Sequence, residues 1–118
     1  VDAGAQYIIT QMFFDNKKYF EFVKLCREAG IDVPIIPGIK PLTQKKQINT
    51  LPRLFHVDIP EQLAVAIHQC NNDDDAKKVG IEWATNQCKE LIKQGAPVLH
   101  FYTMSNAAPV KAIVSNLF

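Results

Sequence analysis

Gln11 lies in Ile8-Ile9-Thr10-Gln11-Met12-Phe13-Phe14-Asp15, an apolar run broken by one uncharged amide and closed by an acid. A run rich in β-branched and aromatic residues reads as a strand buried on both faces, of the kind found in parallel sheets covered by helices. With side chains alternating, Ile9, Gln11 and Phe13 share one face, and Thr10, Met12 and Phe14 the other. An amide at that depth is costly unless paired. In α/β folds the C-terminal end of a strand is also where ligands sit. Chemistry alone leaves two readings open: Gln11 pairs with a neighbouring strand or loop, or it meets a ligand. Tyr102 closes a second such run, Val98-Leu99-His100-Phe101-Tyr102-Thr103, where a ring can pack while its hydroxyl reaches solvent or ligand. His100 in the same run reads as a hydrogen-bonded core histidine, and His56 as one at the surface or core edge. Gln47 falls on the first or second turn of a short helix that Thr43 can cap. Asp73-Asp74-Asp75 could suggest a metal, but negative charge at the start of a helix explains them at lower cost. No His, Cys or carboxylate cluster has metal-ligand spacing.

The elements that must position these groups follow from periodicity and punctuation. Asp15 can cap a helix over 16–29, with Tyr19, Val23 and Cys26 at helical spacing, Phe20 and Phe22 widening the stripe, and Gly30 as the stop. Val33-Pro34-Ile35-Ile36-Pro37-Gly38-Ile39 is a second, wholly apolar strand. Its Pro37-Gly38 end opens a second ligand-facing loop through Thr43. Leu51-Pro52 should break or kink the helix that follows. Pro60 suits the first position of another helix, which Leu63, Ala64, Ile67 and Cys70 give a modest apolar face. The helix over 76–94 has the clearest period, with Val79, Gly80, Trp83, Ala84, Cys88, Leu91 and Ile92 as its buried stripe. Ser105 or Asn106 can cap a last helix through Val110, Ile113, Val114 and Leu117. The order is strand-helix-strand-helices-strand-helix without a hairpin signal, and crossovers of this length make parallel pairs. The candidate polar groups then gather at or after the strand ends, the layout of a βα barrel's upper face. A complete barrel needs eight units in ~250 residues, and three are present, so the chain is a fragment or a small three-layer domain.

At 118 residues, 47% hydrophobic and 21% charged, the composition is that of one globular core. A net charge of +1, with scattered lysine pairs, points to neither nucleic acid nor an anionic membrane. No stretch approaches the ~20 apolar residues of a membrane span, and no charged segment leads into an apolar block at the N-terminus. Three widely spaced cysteines without C-x-x-C read as buried thiols in a reducing cytosol, so a cytoplasmic location is expected.

Asp2-Ala3-Gly4-Ala5 followed by Ile8-Ile9-Thr10-Gln11-Met12-Phe13-Phe14-Asp15 resembles the sixth-strand signature of methylenetetrahydrofolate reductases. Ile35-Ile36-Pro37-Gly38-Ile39 and Leu99-His100-Phe101-Tyr102-Thr103-Met104 resemble later motifs of that family in the same order, and the Asp73-Asp74-Asp75 and Gly80-Ile81-Glu82 neighbourhood also fits. The resemblance covers essentially the whole chain. It implies an α/β fold of parallel βα units, a partial TIM (β/α)8 barrel carrying strands six to eight with their helices, residues 1–118 being a single C-terminal fragment. It implies a parent flavoprotein that reduces methylenetetrahydrofolate to methyltetrahydrofolate, with FAD carrying hydride from NAD(P)H, in the one-carbon metabolism that feeds methionine biosynthesis. Gln11 and Tyr102 match folate-contacting positions, and Gln47 lies where some members place another folate-contacting glutamine. An amide donates and accepts at once, which suits a pterin edge. Two departures stand out. Asn106 replaces an arginine that members often carry, and Leu51 sits where others stack an aromatic ring on the substrate. The family's catalytic acid and most flavin contacts belong upstream of Val1, so no catalytic residue is assigned here, and the fragment alone is expected to be inactive. An incomplete barrel leaves two sheet edges open, so self-association is expected, and a homo-oligomer with it. The alternatives are a non-catalytic binding or assembly module, or another small-ligand βα-barrel enzyme.

Overall fold

The structure, a computed structural model, describes residues 6–55, 57–96, 98–102 and 108–117. His56, Thr103, Ser105 and Asn106 lie outside the described residues. Three strands, β1 (Ile8–Met12), β2 (Ile35–Ile39) and β3 (His100–Phe101), form a sheet in the order β1-β2-β3, and both pairings are parallel. The helices are α1 (Asn16–Glu28), α2 (Gln47–Phe55), α3 (Glu61–His68), α4 (Asp73–Lys93) and α5 (Ala108–Leu117). The crossovers are helical throughout, as parallel pairing requires.

The first strand departs from its expected form in two ways. It is open on one face, with Ile9 41% exposed and Gln11 exposed, and it is an outer strand of the described sheet. Its alternation also breaks. Ile8 pairs with Ile35 and Ile9 with Ile36, but Gly38 pairs with Met12, so β1 spends one residue more than β2 over this stretch. Such a bulge reverses which face the following side chains take. Phe13 therefore leaves the face of Ile9 and joins Ile8 against the helices, while Met12 packs on the other side.

Pro37 lies inside β2, the central strand, where a proline is normally excluded. The ladder to β3 begins only at Gly38↔His100, just after the residue with no N–H to give it. On the other side the Gly38 N–H donates to Thr10 Oγ1 at 2.9 Å, so a side-chain oxygen serves β1 at the bulge.

Two apolar clusters hold these elements. One fills the space between the sheet and helices α1, α4 and α5, centred on Tyr19, Ile35, Ile39, Cys88, Leu91 and Ile113. The other lies beyond the strand ends, where Met12, Phe14, Leu42, Leu51, Leu63 and Ile67 join α2, α3 and the start of α4. Asn72 caps α4 by accepting from the Asp75 N–H at 2.9 Å, and three aspartates occupy its first turn, as the charge pattern indicates. Gly80 lets this helix lie flush on the loop after β2, since a Cβ there would stand 1.9 Å from Leu42 O. Ile92, expected in the buried stripe of α4, is exposed at the end of the helix. Of the break or kink expected at Leu51-Pro52, the break does not occur: α2 carries Pro52 within it and ends at Phe55. The proline removes one helical hydrogen bond, and the burial of Ile48 and Leu51 in the second cluster offsets that loss.

Candidate functional site

Gln11 is carried on the bulged end of β1. Its Nε2 donates to Phe55 O, one of the terminal carbonyls of α2 that no helical N–H can reach. It has no other partner among the described residues, so its amide oxygen and second N–H are available. Tyr102 extends the β3 ladder by donating its N–H to Ile39 O at 2.9 Å. Its ring then crosses above Gly38, and its hydroxyl donates to Thr10 O at 2.8 Å. This path exists only because residue 38 has no side chain: a Cβ there would stand 2.7 Å from Tyr102 Cε2 and 2.6 Å from Thr10 O. The His100 ring packs edge-on against Tyr102, centroids 4.7 Å apart, and steadies it from the same face.

The Tyr102 hydroxyl thus reaches the carbonyl of the residue that precedes Gln11. Gln47 is not placed with them. Its Oε1 accepts from the Thr43 N–H at 2.7 Å and the Gln44 N–H at 3.1 Å, which closes the turn leading into α2. It begins the helix whose far end holds Gln11, about 12 Å away along the axis. Among the described residues only its NH2 group has no partner. Leu51 is buried in the second cluster, so it offers a ligand no face in this arrangement.

Beside Gln11 a groove of about 320 Å³ runs along the free edge of β1, lined by Ile9, Gln11, Phe13, Tyr19 and Phe22 among others. A larger groove of about 680 Å³ lies between α4 and the starts of α1 and α3, and none of the three candidate residues lines it. Burial pushes the Cys88 thiol up to about 12, holding it protonated and inert, and lowers the pKa of Lys40. Among the described residues no group of three His, Cys, Asp or Glu could hold a metal ion. The rim can therefore hold and orient a ligand through an amide, a hydroxyl and apolar surface. The sequence reading missed Thr10, whose two oxygens tie Gly38 and Tyr102 together, and Lys40. For Lys40 a signal was present: an ionisable residue closing an otherwise apolar strand.

Comparison with known proteins decides the lineage. The family model described as methylenetetrahydrofolate reductase matches residues 1–118. The chain belongs to the methylenetetrahydrofolate reductase family. Similar relatives include a "Probable methylenetetrahydrofolate reductase (NADPH)" of Caenorhabditis elegans, 38% identical over 98% of this chain and 18% of its own length. The "Methylenetetrahydrofolate reductase (NADH) 1" of Arabidopsis thaliana is 37% identical over 99% of this chain and 20% of its own. The "5,10-methylenetetrahydrofolate reductase" of Salmonella typhimurium is 40% identical over 99% of this chain and 40% of its own. The chain thus spans less than half the length of these relatives. No helix among the described residues is long and apolar enough to cross a membrane.

Proposed function

We propose that this chain is the folate-side portion of a methylenetetrahydrofolate reductase, an FAD-dependent oxidoreductase that reduces methylenetetrahydrofolate to methyltetrahydrofolate with NAD(P)H. Its three parallel βα units are strands six to eight of a TIM (β/α)8 barrel, and 1–118 form the C-terminal part. The protein is cytoplasmic. The observation that carries the reading is Gln11: an exposed amide at the C-terminal end of a strand, with one oxygen and one N–H free, next to a tyrosine anchored to the neighbouring backbone.

Gln11 is placed to read the donor–acceptor edge of a pterin. The Tyr102 hydroxyl spends its proton on Thr10 O and keeps its lone pairs for a ligand N–H. Gln47 has its NH2 to offer a more distant part of the folate. The bound flavin would supply the hydride. The described residues do not cradle it: Gly30 and Gly95, the positive-φ glycines, end helices, while Gly38 and Gly80 have neighbours in the space of a Cβ. No step through FAD is assigned to this chain, and alone it has negligible reductase activity. The test is absorbance spectroscopy of the full-length product. Bleaching of a bound flavin by NADH or NADPH and its reoxidation by methylenetetrahydrofolate is the expected result. A full-length product without flavin, or one whose reduced flavin ignores folate, contradicts the reading.

A further inference from the structure

The central strand ends on a buried cation. Lys40 directly follows β2 and is 3% exposed, yet among the described residues its Nζ has a single partner, Pro41 O at 3.3 Å. An ammonium has three N–H donors, and one long bond to the next residue leaves most of its lost hydration uncompensated. A methionine or leucine would fill the same volume without that cost, so packing alone does not account for a lysine. Its position is specific. Side-chain alternation puts Lys40 on the face of Gly38, the face the Tyr102 ring covers. Carried one step past Ile39↔Phe101, the β2–β3 register sets it beside Tyr102 itself.

We propose that Lys40 is an anion-binding position of this rim, donating to an anionic oxygen of the ligand; the inference rests on the folate reading above. Two sources share that chemistry: a carboxylate of the folate's glutamyl tail, and the pyrophosphate of a dinucleotide. The ligand replaces the hydration that the folded chain denies the ammonium, so binding and burial become complementary.

The test uses the full-length protein with Lys40→Met, which keeps length and apolar bulk, and Lys40→Arg, which keeps charge. Lys40→Met is expected to lower kcat/KM for methylenetetrahydrofolate by roughly 10–100-fold, mainly through KM, with Lys40→Arg recovering most of it. Its melting temperature is expected to hold or rise, because an uncompensated charge has left the interior. If a substrate lacking the glutamyl group is handled alike by unmodified and Lys40→Met proteins, the carboxylate is the source. If flavin retention or flavin reduction by NAD(P)H falls instead, the source is the pyrophosphate. A Lys40→Met protein with KM, flavin content and flavin reduction all within twofold of normal overturns the proposal. So does one that melts lower with KM unchanged, which assigns Lys40 to packing. Absence of folate turnover in the unmodified protein removes the folate reading and this inference with it, a result distinct from normal turnover that ignores position 40.

Discussion

Gly38→Ala places one methyl group where the ring of Tyr102 crosses the central strand. The new Cβ would stand 2.7 Å from Tyr102 Cε2 and 2.6 Å from Thr10 O, against ordinary contacts that begin at 3.4 Å. The ring must therefore move by roughly 0.7 Å, and Thr10 by about as much, to relieve the overlap. Neither can move freely, since the Tyr102 hydroxyl is bonded to that same Thr10 carbonyl at 2.8 Å. Overpacking of this kind costs about 1–3 kcal/mol. Loss of the hydrogen bond adds about 0.5–1.5 kcal/mol. The expected total is roughly 2–4 kcal/mol, measured by urea unfolding of the full-length protein. A double-mutant cycle isolates the cause. In a Tyr102→Ala background the ring is gone, and the cost of Gly38→Ala should shrink by about 1 kcal/mol or more. An equal cost in both backgrounds, or a cost below about 0.5 kcal/mol in the unmodified protein, would falsify the claim that residue 38 is small to let Tyr102 reach Thr10.

Two further predictions use other parts of the molecule. Burial raises the Cys88 pKa from 9.0 to about 12, so the fold favours the neutral thiol. That contribution is complete below pH 9 and is lost as pH rises from about 9 towards 12. Replacing Cys88 by Ala should flatten the alkaline part of a melting-temperature profile, and an unchanged alkaline slope would count against it. The outer strands β1 and β3 each leave one edge unpaired within the described sheet, so the isolated chain should self-associate. Sedimentation at rising concentration reads this, and a clean monomer throughout contradicts it.

Much of the scaffold is legible because its signals are local. Asp15 caps the first helix, the aspartates at 73–75 open the longest one, Gly30 follows a helix end with positive φ, and three apolar runs become three parallel strands. What escapes the sequence is set by pairing between distant segments. The bulge that separates Phe13 from Ile9 depends on how β1 meets β2, and nothing within Ile8–Met12 announces it. Pro52 looks like a helix breaker because the proline penalty is local, while the burial that outweighs it is tertiary. The candidate site divides in the same way. Gln11 and Tyr102 stand out as polar groups at strand ends, while the bond that carries the Tyr102 hydroxyl to Thr10 O is tertiary and has no local signal. Gln47 looks equivalent by type, but its oxygen is taken by the turn it closes. Lys40 closes an apolar run, but a lysine after a strand is usually solvated, and its burial is a tertiary property.

If this rim meets the folate, Gln11→Ala in the full-length protein must weaken that encounter and nothing else. The two half-reactions are read separately: flavin reduction by NAD(P)H, and flavin reoxidation by methylenetetrahydrofolate. Losing a hydrogen-bonding amide at about 1–3 kcal/mol should slow the folate half-reaction, at low substrate, by roughly 10–100-fold. Flavin reduction should stay within twofold of normal. Equal slowing of both half-reactions, or an unaltered folate half-reaction, would show that Gln11 does not face the substrate.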